Sequence, residues 1–227
     1  MRAKVPVLML LLAACGLPRD PDGTLERVRG GTLRVGVVHN PPWASLPRPG
    51  EAAGVEARLV RALAAEMGAR VEWVPGGASA LRGELEHRQL DLVIGGLSAA
   101  DPWGPKLAFT RPYYTDSVAL GVRPGISVDV SLRGARVGVE RGRAGAAELE
   151  GRRGIPVPVP DLATFDGPVA APTWKLRQVG RMPTGLVFRE EPRVFAAPPG
   201  ENGWLARVER FLDGRRDSVG AMLRSER

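Results

Sequence analysis

The sequence predicts an α/β fold built on a parallel sheet, and three observations carry that expectation. Short runs alternate apolar with polar or small residues, as at Leu33, Val35 and Val37. Between such runs, apolar residues recur every four positions, as at Val55, Leu59, Leu63 and Met67. Glycine and proline punctuate the changes from one pattern to the other. Strand, helix, strand, helix, strand is the order of a sheet whose parallel strands are linked by covering helices.

The elements follow in turn. Leu33 to Val37 is a first strand, with Arg34 and Gly36 on its other face. A loop rich in Pro and Gly runs from His39 to Gly54. The Val55–Met67 stripe is an amphipathic helix, and Gly68 stands where a helix-ending glycine belongs. Val71 to Val74 is a second strand, Ser79 is placed to cap a helix carrying Leu81 and Leu85, and Leu90 to Ile94 is a third strand. Tyr114 to Val122 and Arg136 to Val139 read as further strands. Pro156, Pro158 and Pro160 restrict their apolar stretch to an edge or irregular segment. Gly185–Phe188 and Arg193–Ala196 look like two short strands. Trp204, Val208, Phe211 and Leu212 share one helical face, and a last short helix closes the chain.

Composition excludes several classes of function. The chain has 227 residues, 44% hydrophobic and 25% charged, enough for one large domain or two small ones. Its one cysteine rules out a disulfide framework, and with two histidines it leaves the usual zinc cages unbuilt. The net charge is +7, and 29 of the 32 basic residues are arginine. They are scattered among 25 acidic residues without interleaved aromatics, so solvated surface is expected and no nucleic-acid partner. The sustained apolar run from Val5 to Ala14 is too short to span a bilayer.

That run has another meaning. Arg2 and Lys4 precede it and Leu12-Ala13-Ala14-Cys15 follows, which describes an export signal. A cysteine directly after Leu-Ala-Ala resembles a bacterial lipobox. The resemblance implies cleavage after residue 14, lipidation of Cys15, and residence on the extracytoplasmic side of the cell envelope. Residues 15–30, with Pro18, Pro21, Gly23 and Gly30, read as a tether.

Ligands of open α/β sheets bind beyond the carboxyl ends of the strands, which singles out the loops after Val37 and Ile94. Several stretches there and beyond resemble family 3 bacterial extracellular solute-binding proteins. They are Gly31-Thr32-Leu33-Arg34-Val35-Gly36-Val37, Pro41-Pro42-Trp43 and Gly54-Val55-Glu56, then Leu90 to Gly96, Leu107 to Tyr114 and Arg136 to Gly142. The resemblance implies a two-lobed type II periplasmic-binding-protein-like fold, with lobe 1 from 31–120 and 196–227 and lobe 2 from 121–195. The stretch from Gly142 to Asp166 is short for the usual lobe 2 elements, so a shortened lobe 2 is expected. The implied role is capture of a small organic solute by a monomer, for delivery to an ABC permease.

Family members that bind amino acids hold the carboxylate with an arginine six residues before the Phe of a Phe-x-x-Pro-Tyr-Tyr stretch. They hold the ammonium with a lobe 2 aspartate. At the matching positions this chain has Trp103 and Ala171. The usual zwitterion clamp is therefore absent there. The candidate ligand-binding residues are His39, Asn40 and Trp43 on the first loop, Glu56, Gly96 and Ser98, and the flat side chains Trp103 and Trp174. Arg143, with Arg141, adds an anion-favouring position at a helix start. Together these point to an aromatic-walled site for a flat or weakly anionic solute.

No enzyme chemistry is expected. Gly96-Leu97-Ser98 lacks the last glycine of a nucleophile elbow, Ala100 standing there. Some proteins resembling this family are dehydratases that need a cleft carboxylate, for which Glu56 and Glu140 are the candidates. No cofactor and no metal is implied. The alternative reading is a degenerate solute-binding-like lipoprotein, serving as an accessory or interaction partner of a sensor or redox complex.

Overall fold

The computed structural model describes residues 20–101, 107–126, 132–140 and 146–226. The signal segment, Cys15, Trp103, Arg141 and Arg143 lie outside the described residues.

Alternating apolar residues put β1 (Thr32–Val37) at the centre of a parallel group, flanked by β4 (Arg70–Pro75) and β5 (Leu92–Ser98). Every residue of β5 is buried, as a strand covered on both faces requires. One face of this group carries α2 (Val55–Glu66), α6 (Asn202–Asp213) and α7 (Arg216–Ser225). There Val55, Leu59 and Leu63 pack with Trp204, Val208, Phe211 and Leu223. The other face carries α3 (Ala78–Glu86), whose Leu81 and Leu85 meet Leu90, Val93 and Val194. Gly68, at φ 64, follows the C-cap Met67 of α2, as its position in the sequence predicts. Ser79 does not cap α3; the helix starts at Ala78, behind Gly77.

The second parallel group is β10 (Val169–Pro172), β8 (Arg136–Glu140) and β9 (Ile155–Val159). Its helices are short: α4 (Ala146–Gly151) and α5 (Thr173–Gln178) have 6 residues each. The proline-bearing β9 is an edge strand, where missing N–H donors do least harm.

Two long strands join the groups. β7 (Tyr114–Val122) and β11 (Met182–Ala197) run antiparallel from Arg193↔Tyr114 to Met182↔Val122. The sheet order is β4-β1-β5-β11-β7-β10-β8-β9, with β6 (Ala108–Phe109) also paired to β11. The expected pair of short strands is thus one 16-residue strand. Pro192, which stands between the two expected strands, lies one residue beyond the last pair with β5, Arg193↔Ser98. Register shifts between Pro183 and Arg189 absorb the rest.

Two further expectations are corrected. The His39–Gly54 loop contains a two-stranded ribbon, β2 (Ser45–Arg48) with β3 (Glu51–Ala53). The last part of the predicted tether is docked: α1 (Thr24–Val28) buries Thr24 and Val28. Glu201 Oε1 and Oε2 accept from the N–H groups of Asp22 at 3.0 Å and Thr24 at 3.1 Å. The Pro and Gly content of the segment masked the Thr24/Val28 pair, which is spaced for one helical face.

Candidate functional site

A cavity of about 390 Å³ opens where the two parallel groups meet. Its walls come from four places. His39, Asn40, Pro41 and Trp43 follow β1; Asp116 and Val118 lie on β7; Pro172 and Trp174 sit at the β10–α5 junction; Arg189, Glu191 and Arg193 lie on β11.

The loop after β1 is pinned from below. Asn40 Nδ2 donates to the Gly95 carbonyl at 2.9 Å, and Trp43 packs its ring against Tyr113 and Tyr114. Gly96 has φ 65, and a Cβ there would stand 2.6 Å from Trp43 Cδ1 and 2.7 Å from Asn40 Nδ2. Only glycine lets β5 approach the tryptophan so closely. Gly54 serves the same end, since a Cβ would come within 2.5 Å of the Trp43 carbonyl oxygen.

Glu56 is the fastening under this loop. It is fully buried, and Oε2 accepts from the N–H groups of Gly95 at 2.6 Å and Gly96 at 3.0 Å. Tyr113 donates its hydroxyl to Oε1 at 2.5 Å. Burial pushes the Glu56 carboxyl above its ordinary range despite these three donors, and burial likewise raises Tyr113.

The charged groups of the cavity form one chain of alternating sign. Asp116 and Glu191 are direct cross-strand neighbours, an arrangement of like charges that is unfavourable unless a cation lies between them. Arg193 supplies it. Its Nη2 donates to Asp116 Oδ2 at 2.9 Å and to Glu191 Oε2, and Nη1 donates to the Gly96 carbonyl at 2.6 Å. The guanidinium lies 5.0 Å from the centre of the Trp43 ring. Arg189 Nη2 reaches Glu191 Oε1 at 2.9 Å. At the other end, Trp174 Nε1 donates to Asp116 Oδ1 at 3.2 Å. One network thus runs from the buried α2 glutamate, through Gly96 and both long strands, to the tryptophan of the second group.

Of the residues singled out in the sequence, His39, Asn40, Trp43 and Trp174 come together in the cavity wall. Gly96 lies behind it, holding Arg193. Two others do not face it. Glu56 is sealed in the interior, and Ser98 is engaged locally, its hydroxyl accepting from the Ala100 N–H at 3.2 Å. Glu140 pairs with Lys175 and is absent from the wall. Ala171 packs in an apolar cluster with Ala119, Leu162 and Leu176. The sequence reading missed Asp116, Arg189, Glu191 and Arg193. A signal existed: Arg189, Glu191 and Arg193 alternate, as residues on one strand face must.

Trp174 and Pro41 also wall a neighbouring cavity of about 360 Å³, bordered by Lys175, Gln178 and Glu226. Among the described residues, no group of three or more His, Cys, Asp and Glu is arranged to hold a metal. No described helix is long and apolar enough to cross a membrane.

Comparison with known proteins agrees with this architecture. The sequence model of bacterial extracellular solute-binding proteins, family 3, matches residues 33–219, and the chain belongs to that family. The ABC transporter arginine-binding protein 1 of Escherichia coli is 29% identical over 103 residues, 45% of this chain and 42% of that protein. The membrane-bound lytic murein transglycosylase F of Vibrio cholerae is 33% identical over 97 residues, 42% of this chain but 18% of the relative. The matched region therefore spans less than half the length of either relative. In structure, the chain resembles the unliganded, open L-cystine solute receptor of Neisseria gonorrhoeae, with TM-score 0.71, 14% identity and coverage of 89% of this chain and 97% of that one. It also resembles an ancestral cationic amino acid solute-binding protein, with TM-score 0.66, 21% identity and coverage of 88% and 97%. These likenesses establish the two-lobed type II fold.

Proposed function

We propose that the cleft between the two lobes captures a small, flat organic solute and hands it to an ABC-type importer. The chain works from the extracytoplasmic side of the cell envelope, held there by a lipid on Cys15. Lobe 1 is 31–120 with 196–227, lobe 2 is 121–195, and β7 and β11 cross between them.

One observation carries the reading: Trp43 and Trp174, from different lobes, wall the same cavity at the junction. Its volume of about 390 Å³ falls within the usual range for small-molecule sites. Trp43, His39 and Asn40 follow the carboxyl end of a parallel strand, the position ligands favour in such sheets. A solute touching both tryptophans makes more contact when the lobes approach, and that difference in affinity is what drives closure. The role requires no covalent chemistry.

The usual amino-acid clamp does not serve here. Ala171 is packed in the lobe 2 interior, and the charged groups of the cavity are already paired with one another. Recognition rests on apolar contact with Pro172 and with the parts of Trp43 and Trp174 that reach the cavity, those residues being 3% and 6% exposed, oriented by His39 and Asn40.

The test is a thermal-shift and calorimetric screen of aromatic and heteroaromatic solutes, followed by uptake measurements in cells lacking the chain. The reading expects a hit that Trp43→Ala and Trp174→Ala each weaken at least about tenfold, with import lost in the deletion. Binding that survives both substitutions would place the solute elsewhere.

A further inference from the structure

We infer that Glu191 is a built-in occupant of an anion seat between Arg189 and Arg193, and that it biases the cleft against solutes bearing a carboxylate. The inference rests on the solute-capture reading of the cleft and assigns one residue the part of excluding a chemical class.

The geometry is that of a carboxylate held by two cations. Glu191 Oε1 meets Arg189 Nη2 at 2.9 Å, and Oε2 meets Arg193 Nη2. All three side chains line the cavity and alternate along β11. A planar anion entering from the cleft would be offered the same two donors, since guanidinium N–H groups suit a carboxylate in this way.

The Arg193 side of the seat is fixed. Arg193 is held by the Gly96 carbonyl, by Asp116 and by the Trp43 ring, and its side chain is 10% exposed. Asp116 is fixed as well: its side chain is 6% exposed, and its two oxygens accept from Trp174 and Arg193. Glu191 is different. Its side chain is 22% exposed and that of Arg189 is 38% exposed, so this end of the chain borders the open cleft.

Charge explains why the occupant excludes. With Glu191 seated, the four groups Arg189, Glu191, Arg193 and Asp116 are neutral in sum. A solute carboxylate that arrives while Glu191 stays brings a third anion beside Asp116 and Glu191. If Glu191 leaves, its charge-assisted hydrogen bonds are exchanged for equivalent ones, with little net gain. Glu148 touches Arg189 at Nε, 3.7 Å away, and leaves the Nη2 donor to Glu191. An uncharged solute meets no such competition.

The test is chemical rescue. Glu191→Ala vacates the seat, and sodium acetate is titrated into the full chain at constant ionic strength, with acetamide as the uncharged control. Tryptophan fluorescence and thermal unfolding are both followed, since Trp43 and Trp174 border the seat. The variant is expected to melt below the wild type, to regain stability with acetate but not acetamide, and to bind acetate at least about tenfold tighter than the wild type. Glu191→Gln keeps the side-chain volume without the charge and serves if the alanine variant fails to fold; it too should bind acetate more tightly than the wild type. Equal responses to acetate and acetamide, or equal acetate affinity in wild type and variants, would overturn the inference. Its failure is separable from that of the capture reading. A captured solute without acetate rescue removes only the seat, while acetate rescue without any solute leaves the seat and removes capture.

Discussion

Replacing Glu56 separates the role the sequence suggests for it from the role the structure gives it. Glu56→Ala strands three buried donors, the N–H groups of Gly95 and Gly96 and the Tyr113 hydroxyl. Each unsatisfied donor costs about 1–3 kcal/mol, so a loss of roughly 3–9 kcal/mol is expected before any cavity is counted. For a chain of 227 residues, each kcal/mol lowers Tm by about 2–4 °C. The alanine variant should therefore melt at least about 6 °C below the wild type. Glu56→Gln is a different matter, because its amide oxygen can accept from both glycine N–H groups while its NH2 faces Tyr113. Burial raises the Glu56 carboxyl in the folded protein above its ordinary value of 4.5. The folded state thus holds this proton more tightly than the unfolded chain. The group's stabilising contribution is present in full below about 4.5 and declines as pH rises through the folded pKa. Glutamine lacks that decline. Calorimetric melts of the three proteins from pH 4 to pH 8 should show the glutamine variant gaining on the wild type as pH rises. A difference between them that is flat in pH, or an alanine variant as stable as the wild type, would refute the assignment of Glu56 as a buried fastening.

Other substitutions probe separate links. Gly96→Ala forces a Cβ into Trp43 and Asn40 at a left-handed φ, and should cost several-fold or more in solute affinity, read by calorimetry once a ligand is in hand. Trp204→Ala empties a fully buried site and frees the Asp91 carbonyl that Trp204 Nε1 meets at 2.8 Å. About 3–5 kcal/mol should disappear from the urea-unfolding free energy, with the midpoint lowered. Cys15→Ser should shift the chain from the membrane fraction to the soluble extracytoplasmic fraction on immunoblots, leaving solute binding by the purified domain unchanged.

Legibility from sequence followed the range of the interactions involved. β1, α2 and β7 were readable because each buries a face whose period is local, such as Val55, Leu59 and Leu63 on α2. β11 was not, because Pro183 and Pro192 look like breaks until the partners on either side are known. The cleft was half visible. His39, Asn40 and Trp43 followed from the rule that ligands gather at strand ends, and Trp174 from its flat side chain. Asp116 and Arg193 could not be paired in advance, since 77 residues separate them and antiparallel pairing alone brings them together. The Arg189, Glu191, Arg193 alternation was on view, but in a chain with 32 basic residues it looked like solvated surface. Glu56 misled for a related reason. An acid in the first turn of a helix is favourable at the surface, and nothing in its neighbours announces that Gly95, Gly96 and Tyr113 will close over it.

The most direct test of solute capture is native mass spectrometry of the chain, exposed to a small-molecule extract of its host and compared with a Trp43→Ala/Trp174→Ala double variant. The account predicts one solute bound to the wild type, identifiable after release and lacking an α-amino acid's free carboxylate and ammonium pair. It predicts none on the folded double variant. A wild type that stays empty, or a solute carried equally by both proteins, would contradict it.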